Sequence, residues 1–197
     1  MACWNNVFSL SMNRITLIGG GLSGSLMAVY LAKRGFEVNV YERRPDMRNN
    51  RMSAGKSINL ALSVRGLRAL EKVGLDKEIL KQAIPMYGRT MHSVDGQLSY
   101  QPYGKEGQAI YSVSRGLLNI RLLELADEYP NIHLHFEHRC VDVDLDAAKA
   151  IFVNAEGQEV EVIGDRIIGT DGAFAATRGR LQITDRFNYS QSYLEHG

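Results

Sequence analysis

One short segment constrains this chain more than any other: Gly19-Gly-Gly21-Leu-Ser-Gly24, preceded by the apolar run Arg14-Ile-Thr-Leu-Ile. A β-branched, apolar run that stops at glycine reads as a buried strand. Beyond it, Leu22, Leu26, Val29, Tyr30 and Ala32–Lys33 recur near helical spacing, and Gly35 suits the end of that helix. Phe36-Glu-Val-Asn-Val-Tyr41 then alternates as a second strand. Strand, helix and strand in this order form a βαβ unit, so the two strands should run parallel. Gly19 permits a tight turn, Gly21 lets a phosphate approach the backbone, and Gly24 lets the helix pack closely on the sheet. Free N–H groups at the helix start suit a pyrophosphate. Glu42, at the end of the second strand, can accept the ribose hydroxyls of an adenosine. The pattern points to a dinucleotide and does not by itself separate FAD from NAD.

Residues 43–56 are polar and rich in Arg, Asn and Asp, and they read as a long loop. Ser57-Ile-Asn-Leu-Ala-Leu is extended, and Ser63 caps a predicted helix running to Val73 that Gly74 ends. Residues 86–94, 97–103 and 109–113 read as strands joined by turns at Asp95-Gly96 and Gly104–Gly107. Ser114 opens a helix through Glu128. Strands are predicted over 132–136, 139–143, 150–154 and 160–162. Asp165-Arg-Ile-Ile-Gly-Thr-Asp171-Gly172 is a further strand entering a glycine turn, with Arg178 on the helix that follows.

The bulk numbers exclude several classes. A net charge of +1 gives no electrostatic case for nucleic acid or an anionic membrane. The two cysteines, Cys3 and Cys140, form neither a CxxC pair nor a metal-spaced cluster, so no metal site is expected. No apolar run reaches the roughly 18–20 residues of a membrane span. The expected organisation is an α/β, Rossmann-like FAD/NAD(P)-binding domain with a parallel sheet over 13–84 and 108–182. Residues 1–12 read as a loose extension. Residues 85–107 and 183–197 read as parts of a β-rich substrate layer, which looks unfinished and suggests a truncated chain.

Further motifs narrow the reading. The Asp171-Gly172 stretch resembles the Asp-Gly motif of the flavoprotein aromatic hydroxylases, which favours FAD. Ser57–Ser63, Ile84-Pro-Met86, Pro102-Tyr103-Gly104, Ser112-Val-Ser-Arg115, Phe187–Gln191 and His196-Gly197 together resemble the kynurenine 3-monooxygenase family. The resemblance begins near residue 13 and runs to the end. It implies an FAD enzyme that uses NADPH and O2 to hydroxylate L-kynurenine to 3-hydroxykynurenine, in tryptophan catabolism towards quinolinate and NAD. The two unclustered cysteines lead to the expectation of a reducing, cytoplasmic setting.

By that resemblance Ser23, Tyr41, Glu42, Arg43, Arg44, Ala61, Arg115, Cys140 and Ala176 fall where the family contacts FAD, beside Gly19, Gly21, Gly24 and Asp171. Arg89 and Tyr103 fall where it grips the substrate carboxylate: a guanidinium forks onto a carboxylate and a phenol adds a neutral donor. Ala175-Ala176 departs from the family, where a Ser-Thr pair is common. No residue is assigned as a general acid or base, and His92, His133, His135 and His138 read as structural or exposed. Three alternatives stay open: a flavin hydroxylase for another aromatic acid, an inactive FAD-binding fragment, and, more distantly, an NAD dehydrogenase.

Overall fold

The computed structural model describes residues 14–49 and 59–184. The expected extension at 1–12 and the motifs at Ser57, Phe187–Gln191 and His196-Gly197 lie outside them. The chain divides into two compact units, one of residues 1–46 and 126–197 and one of residues 47–125. These boundaries differ from those expected at 85 and 108, because the segment from 59 to 84 packs with the strands that follow it.

The first unit is built on a four-stranded parallel sheet. Strand β1 (Arg14–Ile18) leads into helix α1 (Leu22–Ala32) and strand β2 (Glu37–Tyr41). β1 and β2 are parallel, with Ile18 opposite Tyr41, as a βαβ unit requires. In the second unit lie β3 (Asn59–Leu62), α2 (Val64–Glu71), α3 (Asp76–Gln82), β4 (Ile84–Met86), β5 (Gly88–His92), β6 (Leu98–Pro102) and β7 (Ile110–Ser114). Helix α4 (Arg115–Asp127) spans the division, and β8 (Ile132–His135), β9 (Arg139–Asp144), β10 (Lys149–Val153), β11 (Glu159–Ile163), β12 (Arg166–Gly169) and α5 (Ala176–Thr184) complete the first unit.

The parallel sheet has the order β12-β1-β2-β8. The chain therefore leaves β1 on one side towards β2 and returns on the other side as β12. Such a reversal leaves a crevice beyond the carboxyl ends of the strands, which is where open α/β sheets bind ligands. One sheet face carries Ile18 and Tyr41, which join Val143, Ala150 and Phe152 of the antiparallel meander β9-β10-β11 in one buried cluster. The alternate residues Ile15, Leu17, Val38 and Val40 are also buried and point to the other face, where α1 packs on β1 and β2. α1 buries Gly24, Ser25, Ala28, Val29 and Ala32. The face that meets the sheet is thus made of small residues, rather than of Leu22 and Leu26, and small side chains let the helix axis come close.

In the second unit β7 is the central strand of β3-β7-β4 and is antiparallel to both neighbours. β5 and β6 form a separate antiparallel hairpin, closed at Ser93–Gln97 by a bond from Gln97 N–H to Ser93 Oγ (2.9 Å). α3 buries Ile79 and packs on α2 and β7; the sequence reading assigned no element to this segment. Among the described residues, no helix is long and apolar enough to cross a membrane.

Candidate functional site

The carboxyl ends of β1, β2 and β12 converge on the glycine turn. Gly19 has φ +107, in the region that favours glycine, and a side chain there would press within 2.6 Å of the Thr170 carbonyl oxygen. Gly24 is more tightly held still: an added Cβ would fall 1.9 Å from the Gly19 carbonyl oxygen. Gly21 is the opposite case, with no atom within 4 Å of an added Cβ. Two of the three fingerprint glycines are therefore required by the protein's own packing, and the third faces open space from which a phosphate can approach.

The carbonyls of the turn are tied back by hydroxyls. Thr170 Oγ1 shares its one hydrogen between the carbonyls of Ile18 (2.9 Å) and Gly19 (2.8 Å). The buried Ser25 hydroxyl donates to the Gly20 carbonyl (3.1 Å). With these acceptors turned inward, and the Gly19 and Gly20 N–H groups taken by the Tyr41 carbonyl and Glu42 Oε2, what is left to offer outward is the N–H groups that follow at the start of α1. The first N–H groups of a helix have no intrahelical acceptor, and α1 has neither a side-chain cap on its N-terminus nor an acidic residue in its first turn. Ser23 is exposed in that turn. This is the donor set of an anion site at the positive end of a helix dipole.

Glu42 is 7% exposed and is fixed from two sides. Oε2 accepts the Gly20 N–H at 2.8 Å, while Oε1 accepts the Arg44 N–H at 2.9 Å and Arg44 Nε at 2.8 Å. Burial pushes its pKa up, but the hydrogen bonds from the Arg44 side chain and backbone, the Arg44 charge and the Gly20 bond together outweigh burial and hold it below the ordinary glutamate value. Glu42 is thus an oriented anion at the edge of the turn. Its backbone is locked as well, since Glu42 N–H donates to the His135 carbonyl (2.8 Å) and His138 N–H to the Glu42 carbonyl (2.9 Å). Arg43 and Arg44 are exposed beside it.

Tyr41 meets the turn through its carbonyl, which accepts the Gly19 N–H at 2.8 Å. Its ring belongs to the core, stacked on His135 at 4.4 Å and Phe152 at 4.3 Å between centroids. Cys140 lies half-buried on β9. Burial first, then the charge of Asp171, push its thiol up to about 11, so it is neutral near pH 7. Asp171 follows β12 and points at the start of α5: Oδ1 accepts the Thr177 hydroxyl (2.6 Å) and Oδ2 the Thr177 N–H (3.2 Å). Ala176 is the first residue of α5. Arg178 clasps the same turn through the carbonyls of Gly172 and Ala173. The first unit thereby brings together Gly19, Gly21, Ser23, Gly24, Tyr41, Glu42, Arg43, Arg44, Cys140, Asp171 and Ala176.

The second unit carries the other four expected residues. Ala61 is exposed on β3 opposite Ser112, and Arg115 is exposed where β7 passes into α4. In the hairpin Arg89 is opposite Gln101, and Tyr103 N–H donates to the Tyr87 carbonyl (2.9 Å). Side chains alternate along a strand, so Tyr87, Arg89, Gln101 and Tyr103 share one face. Arg89 Nε donates to Gln101 Oε1 at 2.8 Å. That face is polar, aromatic and cationic.

Three of the described histidines are paired within the first unit, His135 Nε2 with Asn39 Oδ1 (3.0 Å), His138 Nδ1 with the Phe136 carbonyl (2.6 Å), and His133 with Glu37, and His92 is exposed on β5. Thr170 and Ser25 are site residues that the sequence reading did not single out. The signal for Thr170 was a hydroxyl directly before Asp171, but its use depends on the register that sets Ile18 opposite Gly169.

A family model described as an FAD binding domain matches residues 13–195. The chain is 46% identical over 185 residues to a kynurenine 3-monooxygenase of Anopheles gambiae, covering 93% of this chain and 38% of that protein. It is 45% identical over 185 residues to a kynurenine 3-monooxygenase of Myxococcus xanthus, covering 93% and 40%. The chain thus spans about two-fifths of the length of these relatives. Among solved structures, p-nitrophenol 4-monooxygenase PnpA of Pseudomonas putida shares the fold, with a TM-score of 0.72 at 20% identity over 85% of this chain and 42% of that one.

Proposed function

Because the chain belongs to the FAD binding domain family, we propose that it forms the flavin-holding part of an NADPH-using monooxygenase that hydroxylates L-kynurenine to 3-hydroxykynurenine. The observation that carries this reading is the 46% identity over 93% of the chain to a kynurenine 3-monooxygenase. The donor set of the glycine turn fits the proposed cofactor. The open approach at Gly21 and the uncapped start of α1 receive the pyrophosphate, and the oriented Glu42 carboxylate receives the adenosine ribose.

When bound, FAD supplies the redox and oxygen chemistry. The chain's own residues bind and orient. Gly19 and Gly24 set the turn, and Thr170 and Ser25 hold its carbonyls away from the phosphates. Arg43 and Arg44 add positive charge beside them, and Ser23, Cys140 and Ala176 of the same unit would make further cofactor contacts. No side chain here is asked to transfer a proton, in keeping with a reaction whose bond-making belongs to the cofactor.

Arg89 and Tyr103 hold the substrate carboxylate. Gln101 takes the Arg89 Nε–H, so the fork offered to a carboxylate is the terminal pair of guanidinium nitrogens, with the Tyr103 hydroxyl as a neutral donor on the same face. Arg89→Ala, in the protein that carries this chain, should weaken L-kynurenine binding by about 1.5–3 kcal/mol, the worth of a hydrogen bond to a charged group. Decarboxylated kynurenine should bind the variant and the unaltered protein alike. Equal losses for both compounds would remove Arg89 from the carboxylate site.

A further inference from the structure

The residue that shapes the Asp-Gly turn is one the motif does not include. Asp171 uses both carboxylate oxygens on Thr177, Oδ1 on the hydroxyl at 2.6 Å and Oδ2 on the backbone N–H at 3.2 Å. The room for this hydroxyl comes from Gly169, where an added Cβ would fall 2.4 Å from Thr177 Oγ1. Asp171 in turn sits against the glycine turn: a Cβ on Gly19 would come within 3.0 Å of its Cα. An anion at that place, close to a bound pyrophosphate, repels it unless the carboxylate is turned away and its charge is satisfied elsewhere. The start of α5 does both, with an N–H and a hydroxyl aimed at the carboxylate. Ala175 and Ala176, the preceding residues, have no hydroxyl to give.

We propose that Thr177 is a positioning residue of the cofactor site, holding the Asp171 carboxylate on α5 so that the glycine turn accepts a pyrophosphate. This rests on the FAD reading above. Thr177 acts through Asp171. Thr177→Val keeps the shape and removes the donor, leaving Oδ1 free to swing towards the phosphates. Thr177→Ser keeps the donor. Gly169→Ala leaves the hydroxyl in place chemically but displaces it.

The experiment is an FAD titration of the apoprotein by flavin fluorescence, with the melting temperature of each apoprotein measured beside it. Thr177→Val should raise the FAD dissociation constant about tenfold, the effect of one lost hydrogen bond to a charged group. Thr177→Ser should stay within about twofold of the unaltered protein, and Gly169→Ala should follow Thr177→Val. Unaltered affinity in Thr177→Val would overturn the proposal. Equal weakening in Thr177→Ser would overturn it too, because the hydroxyl would not be the determinant. An apoprotein melting temperature that falls in Thr177→Val while Gly169→Ala binds FAD normally would reduce Thr177 to a helix cap and refute the positioning role. Failure of the unaltered protein to bind FAD is a separate result, which refutes the cofactor reading and this inference with it.

Discussion

Gly21→Val separates the binding role of the glycine turn from its folding role. Gly21 has φ −73, which any residue adopts, and its ψ of −174 is extended. Apart from its own chain neighbours, no described atom lies within 4 Å of the Cβ that valine would add. The fold therefore has room for the substitution. Valine is a poorer residue than glycine at the start of a helix, by roughly 0.5–1 kcal/mol, while the loss of glycine's unfolded-state freedom gives back about 0.4–1 kcal/mol. The two nearly cancel, so the apoprotein melting temperature should move by no more than a few degrees. The cofactor has no such room, because the added side chain occupies the space from which the phosphate approaches. Losing one or two charge-assisted hydrogen bonds costs about 1.5–3 kcal/mol each, or on the order of 100-fold or more in affinity. Titration with FAD and thermal melting of the apoprotein read the two effects separately. Gly24→Ala is the contrasting control: its Cβ would fall 1.9 Å from a backbone oxygen, so it should lose stability and cofactor together. Unchanged FAD affinity in Gly21→Val, or a loss of stability as large as that of Gly24→Ala, would refute the reasoning.

Three other substitutions test the shell around the turn. Glu42 has a folded pKa below its unfolded one, so its stabilisation is complete above the unfolded value, about 4.3, and is lost as pH falls through the folded value. Urea unfolding of the apoprotein should therefore show a steeper loss of stability below about pH 4.3 than Glu42→Gln shows, and the variant should be about 1–3 kcal/mol less stable at pH 7. Thr170→Val strips the hydroxyl donor from the Gly19 carbonyl, while the Ile18 carbonyl keeps the Thr170 N–H at 2.8 Å; it should cost about 1–3 kcal/mol in urea unfolding, with weaker FAD binding. Glu137 is a non-glycine residue with φ 58, and its N–H donates to the Arg44 carbonyl at 3.2 Å. Relief of left-handed strain of about 1–2 kcal/mol, offset by glycine's entropy of about 0.5–1 kcal/mol, makes Glu137→Gly neutral to stabilising by about 1 kcal/mol in the same assay.

The βαβ core was legible because three local signals agree there: an apolar strand, glycines at turn spacing, and an alternating second strand with Glu42 at its end. The packing of α1 was less so. Periodicity marks Val29 and Ala32, which are buried, but also Leu22 and Leu26, which are not, and it passes over Gly24, Ser25 and Ala28, since proximity to the sheet selects small residues that hydropathy does not weight. α3 was missed because Asp76-Lys-Glu-Ile-Leu-Lys-Gln82 is short and largely charged, and Ile79, buried at 2% exposure, is its main anchor. Thr170 and Ser25 act on backbone carbonyls, and no side-chain motif announces which carbonyls must be turned inward. Thr177 was invisible for a related reason. Its partner lies across a turn and its space is created by Gly169, so its role appears only when three backbone segments are seen together.

The measurement that bears most directly on the proposed activity is NADPH oxidation by the protein that carries this chain, with and without L-kynurenine, with the product identified by mass. Strong stimulation by L-kynurenine and a product with one added oxygen atom on the ring are expected. A protein that holds FAD but shows no stimulation, or oxidises NADPH without forming hydroxylated product, would contradict the proposed activity.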